Sequence, residues 1–166
     1  MSSQGHTENP ASLLEAAFTA ILQQRMNGLP FLNPALHVEA VGFARHAQDW
    51  LGILITPWFM NLMLLPGADN DWPAAAEGYR QLWRFPAGEI QFIAACEAGI
   101  GTYQQCPLFA SMQPFADQAA ARVAAGDALA ALLTPPLAEA TKEPEAVSLS
   151  KRSFLRGRIF ADKSSR

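Results

Sequence analysis

An α+β domain, an antiparallel sheet of about five strands packed with one helix towards each end of the chain, is predicted by three features of this sequence. Helical apolar spacing follows Asn9-Pro10 and returns after Gln113-Pro114, and the stretch between them holds short β-favouring runs divided by polar or glycine-containing turns. At 166 residues, half of them hydrophobic, the chain has the length of one domain and enough apolar surface for a core. The expected organisation is a disordered N-terminus over residues 1–9, one domain over 10–136 and a largely flexible tail over 137–166.

Taken in order, Asn9 can cap a helix whose first position suits Pro10, and Leu14, Phe18, Ile21 and Arg25 then fall on one helical stripe. Asn27-Gly28, followed by Pro30, stops it. Residues 38–43 and 50–56 read as two antiparallel strands around the polar stretch Arg45-His46-Ala47-Gln48-Asp49. A third strand is expected over 58–65, because eight residues between Pro57 and Pro66 leave little room for a helix. Its positions are apolar on both faces apart from Asn61, so one face meets the core and the other must be covered by protein or by a partner. Residues 66–88, rich in Gly, Pro and Asp, read as an irregular connection with room for one short helix at 74–83. A hairpin follows, 89–96 and 102–108, turning through Ala98-Gly99-Ile100-Gly101. The second helix is expected to open at Gln113-Pro114 with Asp117 in its first turn. Its apolar stripe would be Phe115, Ala119, Val123, Leu129 and Leu133, ended by Thr134-Pro135-Pro136.

Composition excludes several roles. A net charge of −3 and a pI near 5.6 supply no basic face to neutralise phosphates, so no nucleic-acid partner is expected. The longest near-apolar stretch, residues 51–66, is interrupted by Thr56, Pro57 and Asn61 and is shorter than the roughly 20 residues a membrane span needs. The first nine residues have neither a charged nor an apolar signal region, so the expected compartment is the cytoplasm.

Catalytic signatures are missing. His6, His37 and His46 are scattered, and no nucleophile elbow, phosphate-binding glycine loop or zinc-protease motif occurs. Neither an enzymatic activity nor a cofactor is expected. Cys96 and Cys106 form no C-x-x-C pair, and in the expected hairpin they sit several residues apart along the ladder, beyond the ~7 Å Cα separation that a disulfide tolerates. Two free thiols are the simpler reading; a metal or iron–sulfur carrier using Cys96 and Cys106 is the alternative.

Two constellations suggest binding. Pro66-Gly67-Ala68-Asp69-Asn70-Asp71-Trp72-Pro73 places two carboxylates beside an indole, equipment for gripping an arginine, although an Asx turn with Trp72 as a lid on the core would look the same. Ser150-Lys151-Arg152-Ser153-Phe154-Leu155-Arg156 resembles the consensus of twin-arginine export signals. No apolar stretch follows it, so it reads as a basic segment over 150–157, docked through Phe154 and Leu155 or imitating a client.

The block Ile55-Thr56-Pro57-Trp58-Phe59-Met60-Asn61-Leu62-Met63-Leu64-Leu65-Pro66-Gly67 resembles the signature of the HybE/HupJ/HoxT family of [NiFe]-hydrogenase assembly chaperones. Phe85-Pro86-Ala87-Gly88 with Phe92, Cys106-Pro107-Leu108-Phe109-Ala110-Ser111-Met112 and Phe154-Leu155-Arg156-Gly157 match in turn. The resemblance implies a cytoplasmic accessory protein for the hydrogenase small subunit, whose precursor bears a twin-arginine signal. Some relatives are joined to or encoded beside a rubredoxin, but this chain has no paired C-x-x-C motifs for its iron, and Pro107 replaces the family's usual serine. The expected partners are the small-subunit precursor and other hydrogenase maturation proteins, with a homo-oligomer left open. The expected contact set is Trp58, Met60, Asn61 and Met63 as an apolar shelf, with Asp69, Asp71 and Trp72 taking the arginines. Lys151, Arg152, Phe154, Leu155 and Arg156 would form the client-like tail segment.

Overall fold

Apolar residues that alternate along strands on both sides of a sheet need a covering layer on each side, and this chain supplies two helices for it. A computed structural model describes residues 5–68, 72 and 76–136. The described elements are helix α1 (Ala11–Ile21), strands β1 (Glu39–His46), β2 (Asp49–Ile55), β3 (Met60–Leu65), β4 (Arg80–Phe85), β5 (Gly88–Glu97) and β6 (Gly101–Phe109), and helix α2 (Gln118–Leu132). One antiparallel sheet runs in the order β1-β2-β3-β6-β5-β4. Two three-stranded meanders therefore meet at the β3–β6 pair. The α+β class is as expected, with six strands rather than five.

The extra strand is β4. Residues 80–85 were expected in a short helix or an irregular connection, yet they pair in register with β5, Arg80 opposite Ile93 and Phe85 opposite Gly88. Pairing with an existing strand outweighs the weak helical preference of Arg, Gln, Leu and Trp.

Strand alternation sorts the core into two layers. Leu51, Ile53 and Ile55 of β2, Met60, Leu62 and Leu64 of β3, Phe85 and Phe92 face one side, where Ala121, Ala125 and Leu132 of α2 and Met112 cover them. Trp50 and Leu54 of β2, Met63 and Leu65 of β3, and Tyr103 of β6 face the other side, under Leu14 and Phe18 of α1. Glycine matters at two positions. Gly42 sits at φ +68° in the irregularity of β1, where a Cβ would meet Leu129 of α2, and the Phe43 ring lies where Gly52 lacks a side chain.

Helix α2 corrects two expectations. It begins at Gln118, with the Asp117 carboxylate capping the Ala120 N–H at 2.9 Å, so Gln113 to Ala116 form a turn instead of a first helical turn. Its buried stripe is Gln118, Ala121, Ala125 and Leu132, whereas Val123 points to solvent. Small alanines at 121 and 125 let the helix lie close to the sheet, while Ala119 and Val123 are exposed. Helix α1 runs from Ala11 with Pro10, not Asn9, at its N-cap position; Asn9 Oδ1 accepts from the Ala11 N–H at 2.9 Å in a turn before the helix, which continues into one π-helical turn, Leu22–Met26. Residues 5–9 are also held rather than disordered. The His6 N–H donates to the Pro66 carbonyl at 2.8 Å and its carbonyl accepts from the Trp50 indole at 2.9 Å. Residues up to Leu133 form one compact unit. Among the described residues, no helix is long and apolar enough to cross a membrane.

Candidate functional site

The two densest sequence motifs, residues 55–67 and 106–112, become neighbours because β3 pairs with β6. Met60 stands opposite Phe109, Asn61 opposite Pro107 and Leu62 opposite Cys106. At this end of the sheet β2 and β3 are joined by a corner, Thr56-Pro57-Trp58-Phe59. Fully buried Thr56 closes it: its N–H donates to the Phe59 carbonyl at 2.9 Å, and its Oγ1 accepts from the N–H groups of Trp58 at 3.1 Å and Phe59 at 2.9 Å. The Pro57 carbonyl accepts from the Asn33 N–H at 3.0 Å, which ties the corner to the chain leaving α1. Trp58 and Phe59 are left half-buried, their rings edge to face at 5.4 Å, with Phe59 against Phe18 at 6.0 Å.

Beside the corner, on the α1 side of the sheet, lies Asn61. Its Nδ2 donates to Gln105 Oε1 at 3.0 Å, while its Oδ1 is buried with no partner. Proline occupies the facing position, Pro107, and has no N–H to offer. A buried acceptor left in this state costs about 1 to 3 kcal/mol. Gln105 pairs in turn with Ile93, and these two half-buried residues with exposed Pro107 carry the same face outward across β6 and β5. The arrangement is an aromatic rim at Trp58 and Phe59 beside a surface of Pro107, Ile93 and the Gln105 amide, which suits a chain segment that brings apolar side chains.

The strand itself is not an open shelf. Met60 and Met63 are both wholly buried, the first under α2 and the second under α1, because β3 is central and has a helix over each face. Of the expected shelf residues Trp58, Met60, Asn61 and Met63, only Trp58, in the corner before the strand, keeps exposed surface. Trp72 is likewise a core residue, 9% exposed, its ring 5.3 Å from that of Trp83, so its faces are occupied and it offers no platform for a cation. Asp69 and Asp71 lie outside the described residues, as do Lys151, Arg152, Phe154, Leu155 and Arg156. Sequence reasoning missed Phe59, Gln105 and Ile93; an alternating run containing paired glutamines beside a proline was the signal available for Gln105.

The cysteines are brought no closer. Cys96 is exposed opposite Thr102 near the hairpin turn, while Cys106 lies beside Leu62, four positions farther along the ladder, or roughly 13 Å at 3.3 Å per residue. Burial pushes the Cys106 thiol up to about 12, so at neutral pH it is a protonated packing group and a poor metal ligand. Among the described residues, no group of three or more His, Cys, Asp or Glu could hold a metal ion.

The fold and sequence have known counterparts. The chain is 40% identical over 150 residues to the hydrogenase expression/formation protein HupJ of Bradyrhizobium diazoefficiens, covering 89% of this chain and 87% of that one. It is 40% identical over 157 residues to HoxT of Cupriavidus necator, covering 87% of each. The solution structure of HybE from Escherichia coli superposes with a TM-score of 0.68 at 24% identity, over 99% of this chain and 96% of the other, and so shares the fold. Residues 9–157 match the family model described as [NiFe]-hydrogenase assembly, chaperone, HybE. The chain belongs to the HybE family of [NiFe]-hydrogenase assembly chaperones.

Proposed function

We propose that this chaperone acts without catalysis, in the cytoplasm, by holding the hydrogenase small-subunit precursor through its twin-arginine signal until assembly is complete. The observation that supports the reading is the half-exposed Trp58–Phe59 corner, with Asn61 beside it whose Oδ1 has no partner. Apolar side chains of the signal rest on Trp58, Pro107 and Ile93, a main-chain N–H reaches Asn61, and Asp69 and Asp71 take the arginines. Charge-assisted contacts contribute about 1.5 to 3 kcal/mol each, so a few of them give a micromolar, releasable complex of about −8 kcal/mol.

Co-purification with the precursor, with and without its signal, tests this. Capture is expected only with the signal, weakened at least tenfold by Trp58→Ala, and weakened in a salt-dependent manner by Asp69→Asn with Asp71→Asn. Equal capture of the signal-less subunit, or indifference to Trp58→Ala, refutes it.

A further inference from the structure

The two outer strands of the sheet are treated differently. Along β1, side chains occupy the outward backbone groups: Glu15 Oε2 accepts from the Ala40 N–H at 2.9 Å and Asn9 Nδ2 donates to the Phe43 carbonyl at 3.0 Å. Arg122 and Gln118 of α2 clasp Glu39 at 2.9 and 2.8 Å. The irregularity between Val41 and Ala44 further spoils that edge as a template.

Strand β4 has none of these protections among the described residues. The Ala94 N–H donates to the Tyr79 carbonyl at 2.8 Å, which fixes the phase of the antiparallel ladder. Gln81, Trp83 and Phe85 then spend their backbone groups on β5, and Arg80, Leu82 and Arg84 direct theirs away from the sheet. The side chains of these three share one face, opposite Ile93, Gln91 and Glu89. Leu82 is 60% exposed. Arg84 meets Glu89 at 3.1 Å, in a pair that is itself largely solvated, and Arg80 has no ion-pair partner among the described residues.

We infer that β4 is a docking edge for an extended segment of another protein, carrying an apolar residue flanked two positions away on each side by carboxylates. Such a strand, laid antiparallel with its central residue opposite Leu82, sets its two carboxylates opposite Arg80 and Arg84 while its main chain completes the hydrogen bonds of 80, 82 and 84. Charge decides the occupant. A second copy paired Leu82 to Leu82 would place Arg80 against Arg84 twice, so the arginines that repel self-association attract an acidic strand. This edge is separate from the Trp58 corner, and the two surfaces stand or fall independently.

The test uses the full chain and a capped heptapeptide, Thr-Glu-Thr-Val-Thr-Glu-Thr, followed by amide NMR and hydrogen exchange. New protection is expected at the N–H groups of Arg80, Leu82 and Arg84, with binding at least tenfold weaker when both glutamates are replaced by lysine. Leu82→Pro is the decisive variant, since it deletes an outward N–H and leaves the β5 ladder intact. It should abolish binding with the fold unchanged in the amide spectrum, and Trp58→Ala should leave peptide binding as it was. Arg80→Glu with Arg84→Glu should reverse the preference to the lysine peptide. The inference is overturned by no binding at millimolar peptide, by protection elsewhere, by Leu82→Pro binding as well as the unaltered chain, or by a sedimenting dimer that Leu82→Pro dissolves.

Discussion

The β1–β3 half of the sheet and the β4–β6 half are both antiparallel meanders, yet they are finished differently. In the first half every residue of β2 and β3 is buried, because α1 lies over one face and α2 over the other. In the second half Tyr103 of β6 still packs with Leu14 and Phe18 of α1, but β4 and β5 carry mostly exposed and half-buried residues, with Phe85, Phe92 and Ala94 as their buried ones. The first half is the anchor of the fold; the second is where backbone and side chains remain available. The corner at Trp58 sits where the two meet.

The sharpest way to break this comparison is to remove core residues from each half. Phe92, wholly buried on the α2 side of β5, should cost about 3 to 5 kcal/mol on Phe92→Ala in denaturant unfolding. Met63→Ala, on the α1 face of the first half, should cost about 2 to 5 kcal/mol, whereas Ile93→Ala, on the same face of the second half, should cost only about 1 kcal/mol. Equal losses at 63 and 93 would mean that the second half is covered after all.

A middle-sized effect of opposite sign is expected at the junction. Replacing Asn61 and Gln105 together by leucine removes the orphan acceptor along with its neighbour, and should leave stability unchanged or raise it by about 1 kcal/mol. Capture of the small-subunit precursor should fall at the same time. A stabilised protein that still captures its client would detach Asn61 from function.

The smallest effect concerns the clasp of α2 on β1. Burial alone would raise the Glu39 carboxyl, but hydrogen bonds from Gln118 and Arg122 and the charges of Arg122 and His37 outweigh it and hold it below its ordinary value near 4.5. Because the folded value is the lower one, the stabilisation is present above pH 4.5 and is lost as pH falls through the folded value. Arg122 is half-exposed, so the contribution is under about 1 kcal/mol and shrinks with salt. Acid titration of Glu39→Gln should show a shallower loss of stability below pH 4.5; an unchanged slope would remove Glu39 from the account.

Much of the anchor half was legible in the sequence. Pro57 and Pro66 delimited β3, and its unbroken apolar character announced a strand buried on both faces. What covers those faces was not legible, since α1 and α2 reach β3 from about 40 and 60 residues away, and nothing local to Met60 or Met63 distinguishes a helix from a client as the cover. Strand β4 escaped notice because Arg80, Gln81 and Leu82 are all exposed and only Phe85 is buried, which leaves little of the two-residue period, and because Arg, Gln and Leu suit a helix equally well. The corner was legible in part: Trp58 and Asn61 stood out in the motif, but Gln105 and Ile93 join them only through pairing between distant strands.

The closure of the corner by Thr56 has a thermodynamic consequence. Fixing a loop residue costs about 1 to 2 kcal/mol in backbone entropy, and here Pro57 and the buried Thr56 hydroxyl have already ordered the four residues before any client arrives. Nearly all the ordering cost of the complex then falls on the incoming peptide. Under the proposed function a free, extended signal bears that ordering cost, and a segment already drawn into another structure must in addition be released from it before it can return to the corner. Under that proposal, assembly of the client is itself what releases it.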